Sequence, residues 1–293
     1  MNTRNNSEHL LIDTQRDTSR VLYIEGHPRY EFKYVKRTLE NDPAVDFLSI
    51  TRTGPGRYYR QGIDDPNQLT GGFADSTEEL NAYKALNRNV EFWVTAAFTP
   101  EQLSMIEQFV RVRGGGVVML GGANSLAAGN YQNTPIADLL PVTLPARSSG
   151  PPVLTDEAAV VDSLQGFQFT PTHDGLEHSV LKLSPNPSVN RRRWQALPRL
   201  QTLNPLGENK PGATLLAEAR AADGEKPHPA LVVQRYGKGR SMVLPTASTW
   251  RWQMELPADD TRYQRFWRQL IRWLTASAPD PVELNIPDRQ FTP

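Results

Sequence analysis

Residues 114–125 read Gly-Gly-Gly-Val-Val-Met-Leu-Gly-Gly-Ala-Asn-Ser, and that run leaves a chain few ways to fold. The glycines at 114–116 stop a helix, Val117 to Leu120 has the length and apolar content of a buried strand, and Gly121-Gly122 forces a tight turn. This is the layout of a nucleophile elbow in an α/β enzyme. The helix being stopped is well announced. Thr99-Pro100-Glu101-Gln102 supplies an N-cap, a proline at the first helical position and a capping-box glutamine, and Leu103, Ile106, Phe109 and Val110 then share one face. Ala123 stands where a nucleophile would stand, and the whole chain contains no cysteine.

The same grammar repeats upstream. Arg20 to Glu25 is a short apolar strand, Phe32, Val35 and Leu39 recur at helical spacing until Asn41-Asp42-Pro43, and Val45 to Thr53 is a second strand. Residues 54–75 are rich in Gly, Pro, Asp and Asn and read as a long loop, with Arg57, Tyr58, Tyr59 and Arg60 making it a candidate recognition lid. Ser76 to Glu79 opens a helix by a capping box, and Val90 to Ala96 is a third strand. Such β-α alternation predicts a mostly parallel sheet with helices on both faces. The second half departs from it. Ala213 to Glu218, Ala230 to Tyr236 and Ser241 to Leu244 read as strands, the last two joined by a hairpin at Gly237-Lys238-Gly239. Tyr263, Phe266, Trp267, Leu270, Ile271 and Leu274 form the apolar stripe of a final helix, with Arg262, Arg265, Arg268 and Arg272 facing water.

Several function classes drop out on composition. Lys+Arg and Asp+Glu both number 32, so the chain lacks the basic excess of a nucleic-acid or anionic-membrane binder. No apolar run approaches the roughly 18–20 residues that span a bilayer, and Met1 to Arg20 shows no apolar signal segment. At 293 residues the chain suits one large domain with appendages. The expected organisation is a polar tail or the end of an upstream β-sandwich at 1–19, one domain at 20–277, and a linker at 278–293.

A family resemblance rests on an ensemble of motifs. Glu25-Gly26-His27-Pro28-Arg29-Tyr30-Glu31 opens it, and Phe98 to Leu103, Arg113 to Gly116, Gly121 to Ser125 and Asp138 to Val142 continue it. Val233 to Arg240, Thr249 to Met254 and Phe266 to Leu274 complete it. Together they resemble the glutamine amidotransferase-like domains found in large bacterial proteins, beside von Willebrand A or immunoglobulin-like modules. The resemblance implies a class I glutamine amidotransferase-like, flavodoxin-like fold. Active members use an elbow cysteine activated by a His-x-Glu pair. Here Ala123 aligns with the cysteine and no His-Pro-Glu occurs in the second half, so thiolate attack on a glutamine amide does not carry over.

Ligands of an open parallel sheet bind beyond the carboxyl ends of its strands. The candidate pocket is therefore Glu25, His27, Arg29 and Glu31 after strand one, Gly121, Gly122, Ala123, Asn124 and Ser125 after strand four, and Trp250 with Arg251. One reading makes Glu25 and His27 an acid–base pair, Arg29 a carboxylate binder and the glycine amides an oxyanion site. The other, favoured, reading makes Glu25, Arg29 and Glu31 a network that holds the first helix, with the glycines needed for close packing. Ser125 as a nucleophile lacks Gly-x-Ser-x-Gly. His173-Asp174-Gly175-Leu176-Glu177-His178 is one residue off a His-x-x-Glu-His metal motif and reads as a polar segment capping a helix. Trp250 and Trp252 are expected to wedge the final helix onto the sheet while Arg251 pairs with a carboxylate. Arg191 to Arg193 read as a solvated face.

The expectation is a non-catalytic, amidotransferase-like binding or interaction module within a larger bacterial multidomain protein, with no cofactor and no metal. A hydrolase of another class using Glu25 and His27, and an architectural spacer, are the alternatives. The partner is an unidentified protein or small-molecule ligand, with neighbouring domains in the same chain. The compartment stays open, the extracytoplasmic part of a membrane-anchored cell-envelope protein being the context that the resemblance suggests.

Overall fold

The computed structural model describes residues 18–26, 29–54, 57–62, 90–94, 98, 100–122, 124–146, 161–222 and 226–276. The first strand, β1 (Ser19–Glu25), is buried from Val21 onward and lies between β2 (Val45–Gly54) and β4 (Val90–Val94), parallel to both. β4 pairs in parallel with β5 (Gly116–Leu120), and β5 with β10 (Gly239–Leu244). Strands covered on both faces read as continuous apolar runs, and Val117 to Leu120 is one. The carboxyl ends of β1, β5 and β10 thus open on the same edge of the sheet.

Helices cover both faces. Val21, Tyr23, Val118 and Leu120 point into a core shared with Val35 and Leu39 of α1 (Tyr30–Glu40) and with Phe266, Trp267 and Leu270 of the final helix. Leu22, Ile24, Val117 and Met119 point the other way, onto Ile106, Phe109 and Val110 of α2 (Pro100–Arg113). This alternation along β1 and β5 is the period-2 geometry of a strand feeding two cores. Gly114, at φ 81°, ends α2, as the sequence predicts.

The rest of the sheet corrects the expectation of mostly parallel strands. One ten-stranded sheet runs β3-β2-β1-β4-β5-β10-β9-β8-β6-β7, with four parallel pairings and five antiparallel ones. The fold is therefore mixed α/β. The predicted hairpin at Gly237 reverses the chain between β9 (His228–Tyr236) and β10. β8 (Thr214–Ala221), β6 (Val161–Pro171) and β7 (Leu200–Leu203) then add antiparallel, the link from β8 to β9 being too short for the crossover that a parallel pairing needs. At the other edge, part of the expected 54–75 loop is a strand: β3 (Arg57–Gln61) pairs antiparallel with β2. The remainder of that loop after Gly62, and the helix expected from Ser76, lie outside the described residues.

Three short helices, α3 (Pro135–Leu139), α4 (His173–Glu177) and α5 (Pro187–Gln195), decorate the antiparallel half. The Thr172 hydroxyl accepts the Gly175 N–H at 3.0 Å to cap α4, and Arg191 to Arg193 are exposed on α5 while Trp194 is buried. Two helices close the chain, α6 (Arg251–Met254) and α7 (Arg262–Thr275). The six predicted apolar residues of α7 are all buried. Its arginines do more than face water. Arg262 donates to both carboxylate oxygens of Asp260, Arg265 donates to the Leu183 carbonyl at 2.8 Å, and Arg272 reaches Asp42 at 3.2 Å. Among the described residues no helix is long and apolar enough to cross a membrane.

Candidate functional site

Three chain segments meet beyond the carboxyl ends of β1, β5 and β10. From β1 comes Glu25, 1% exposed, whose carboxylate accepts from Arg29 Nε at 2.7 Å and Arg29 Nη2 at 3.2 Å. The Tyr23 hydroxyl donates to the same carboxylate, and burial, followed by the neighbouring Glu25 charge, raises the Tyr23 pKa well above its ordinary value. The third arm of the Arg29 guanidinium, Nη1, donates to the Gly121 carbonyl at 2.6 Å. Arg29 thus ties the end of β1 to the turn after β5, with its bidentate fork filled by one carboxylate.

The glycine turn is built around that guanidinium. A Cβ on Gly122, where φ is 148°, would collide with Arg29 Nη1. A Cβ on Gly121 would collide with the backbone of Pro245 and Thr246 and lie 2.6 Å from Asn204 Oδ1. Asn204 reads the turn on both sides: its Oδ1 accepts the Gly122 N–H at 2.7 Å and its Nδ2 donates to the Gly122 carbonyl at 3.0 Å. A backbone amide that would receive an oxyanion is therefore already satisfied. Ser125 is 1% exposed and its hydroxyl donates to the Gly122 carbonyl at 3.1 Å, so the proton of this hydroxyl is committed inside the turn. Asn124 is exposed. Leu126 sits in the left-handed region at φ 55° with its side chain fully buried. Burying a leucine is worth about 1.5–3 kcal/mol, enough to offset the roughly 1–3 kcal/mol of strain.

Glu31, in the first turn of α1, turns away from Arg29 toward the segment after β10. It accepts from the Thr249 hydroxyl, from the Trp250 N–H at 3.3 Å and from the Tyr263 hydroxyl at 3.3 Å. Burial pushes its pKa up to about 7, against the pull of Thr249, Trp250 and Arg29. Burial likewise raises Tyr263 well above its usual value, with Glu31 adding to it. Next to it, Thr246 and Ser248 share a hydrogen bond of 2.8 Å, and Ser248 Oγ accepts the Gln201 N–H at 3.1 Å.

The predicted site residues thus separate into two groups. Glu25, Arg29, Gly121, Gly122 and Ser125 form one hydrogen-bonded cluster, and Glu31 belongs to a second one with Thr249 and Tyr263. His27 and Ala123 lie outside the described residues. Trp250 does not wedge α7 onto the sheet. It is half-buried between Tyr30, with ring centroids 5.2 Å apart, and Tyr34, stacked at 6.4 Å, while Arg251 lies 5.8 Å above its ring and pairs with Glu255. Trp252 fills the wedging role alone, 1% exposed and edge-on to Phe169, Trp194 and Phe266. His173 and His178 stand at the two ends of α4, with His178 Nδ1 accepting the Val180 N–H at 3.3 Å. Among the described residues no three metal-ligating side chains converge. Asn204, Tyr23 and Tyr263 are the site residues that sequence reasoning missed: Asn204 and Tyr263 bond to partners far away in sequence, which leaves no local pattern, and Tyr23 reads as one more apolar residue of a buried strand.

The sequence that carries this strand–turn junction matches a known family. The family described as "Putative glutamine amidotransferase" covers residues 81–276. The chain belongs to this family. It has no cysteine, so the thiolate of an active amidotransferase is absent from it. No curated protein matches the sequence. Among solved structures, two cytoplasmic proteins of Salmonella typhimurium are similar, each 17% identical with a TM-score of 0.55 and covering 87% of this chain. The match spans 99% of one of them and 98% of the other. A ThuA-like protein of Parabacteroides merdae aligns over 92% of this chain and 95% of its own, at 14% identity and a TM-score of 0.49.

Proposed function

We propose that this chain is a non-catalytic member of the amidotransferase-like family, a binding or interaction module within a larger bacterial cell-envelope protein. Its fold is flavodoxin-like in its parallel half, where β2-β1-β4-β5-β10 follow the order second, first, third, fourth, fifth of that doubly wound class. The observation that carries the reading is the Arg29 guanidinium. It sits against Gly122, is neutralised by Glu25 and is anchored on the Gly121 carbonyl, so the space beside the elbow is filled by a structural ion pair. Glu25 is 1% exposed and already accepts from Arg29 and Tyr23, which counts against the acid–base alternative.

The test is ammonia release from L-glutamine, followed by coupled reduction with glutamate dehydrogenase, together with hydrolysis of p-nitrophenyl acetate. Rates at the buffer background for the wild type are expected. Turnover above background that disappears in Glu25→Gln would sink the proposal.

A further inference from the structure

Away from the strand ends, α1, α6 and the start of α7 enclose a groove of about 540 Å³. That volume falls inside the ~300–1,000 Å³ range of small-molecule sites and is too small for a docked domain. Its lining is one-sided in charge: Arg37 and Arg268 contribute to it and no Asp or Glu does. Arg268 is already committed, with Nε 3.5 Å from Asp42 and Nη2 donating to the Asn41 carbonyl at 3.3 Å. Arg37 is exposed, and among the described residues no carboxylate pairs with it. Lys33, one turn back on α1, adds a further positive charge, 5.6 Å over the ring of the groove residue Tyr34.

The apolar side of the groove is equally defined. Tyr34 and Met254 both line it, the Tyr34 hydroxyl lying 2.6 Å from Met254 Sδ, and Trp250 stacks on Tyr34 at 16° between ring planes outside the lining. Met254 is 57% exposed, which leaves its adaptable, polarizable thioether open to a ligand in the groove. Opposite it, Gln264 Nε2 donates to Gln253 Oε1 at 2.6 Å and holds the far rim in place. A flat apolar wall beside an unpaired guanidinium has a definite chemical complement.

We infer that this groove binds a small molecule that carries a carboxylate on a flat apolar body, with Arg37 holding the carboxylate and Tyr34 and Met254 holding the body. The guanidinium fork suits a carboxylate bidentately, and ring-on-ring contact supplies the rest of the recognition. The inference goes beyond the functional reading above and stands whether or not the strand-end cluster is inert.

Three aryl carboxylates serve as probes: benzoate, 4-hydroxyphenylacetate and indole-3-acetate. Each is titrated into the full chain beside its neutral carboxamide, following the side-chain amide NMR signals of Asn41, Gln253 and Gln264, which report on the groove alone. At least one carboxylate is expected to shift these signals saturably, binding at least about tenfold more tightly than its carboxamide. Arg37→Gln, on an exposed helical position, is expected to erase that preference with the melting temperature unchanged. Met254→Glu, also at an exposed site, is expected to abolish binding by placing a like charge at the mouth. No saturable shift from any of the three acids, equal affinity for acid and carboxamide, or wild-type affinity in Arg37→Gln would each overturn the inference.

Discussion

Glu31→Gln removes a titratable group from inside the strand-end cluster while keeping its shape. In the folded protein this carboxyl is 1% exposed, and burial raises its pKa from 4.5 to about 7. Between those two values the folded chain holds a proton that the unfolded chain has released. The stabilising contribution is full below about pH 4.5 and is lost as pH rises through about 7. The loss is about 2.5 × 1.36, or about 3 kcal/mol, since a tenfold change in proton affinity is worth about 1.36 kcal/mol. Glutamine does not titrate. Its carbonyl still accepts from Thr249 and Tyr263, which share Oε1, but its amide nitrogen meets the Trp250 N–H that Oε2 accepted. That lost hydrogen bond costs about 1 kcal/mol. The variant should therefore be about 1 kcal/mol less stable than wild type at pH 4.5 and about 2 kcal/mol more stable above pH 8. Urea unfolding followed by circular dichroism at the two pH values measures both differences. A difference that stays constant within about 0.5 kcal/mol across that range refutes the assignment of a raised pKa to Glu31.

The Glu25–Arg29 pair and the glycine turn give two more expectations. Arg29→Met leaves a buried carboxylate without its cation and should cost about 3–5 kcal/mol, of which the Glu25→Gln/Arg29→Met double variant recovers a measurable part. A single-variant loss below about 1 kcal/mol in urea unfolding would mean that the pair is not a clamp. Gly121→Ala drives a methyl group into the Pro245–Thr246 backbone, which cannot swing aside as a side chain can. The expected loss is about 3 kcal/mol or more, and near-wild-type stability would show that β5 and β10 do not approach so closely at their ends.

Legibility in the sequence followed the range of the interactions. β1, α1, β2, α2, β5, the β9–β10 hairpin and α7 were readable because each is specified locally, by a period, a cap or a glycine stop. Phe266 and Trp267 announce a helix face whatever they pack against. β6 and β7 were not readable. Val161–Pro171 mixes polar residues with Gly166, and Leu200–Leu203 is four residues long, so both are strands only because neighbours pair with them. The parallel expectation was met only in part, by β2-β1-β4-β5-β10, since strand direction depends on connections and not on the strands' own composition. At the site, Glu25, Arg29 and the glycines stood out by type and spacing, and the favoured network reading of Glu25 and Arg29 matches their geometry. Glu31 does not ion-pair with Arg29 as that reading expected. Its partners Thr249 and Tyr263 lie more than 200 residues away in sequence, and no short-range signal connects them. Trp250 and Trp252, two residues apart, were given one role and have two, because a two-residue step around a helix start points side chains to different surroundings.

A fixed Arg29 guanidinium is what separates a filled elbow from an open one. Hydrogen exchange of the Arg29 Nε–H, observed by NMR at neutral pH, asks this directly. A hydrogen-bonded, buried Nε–H should give a resolved signal that persists in D₂O alongside the Gly122 amide, and should be lost in Glu25→Gln. An Arg29 signal that exchanges as fast as those of the exposed arginines would contradict the lock and make the strand-end cleft an open site again.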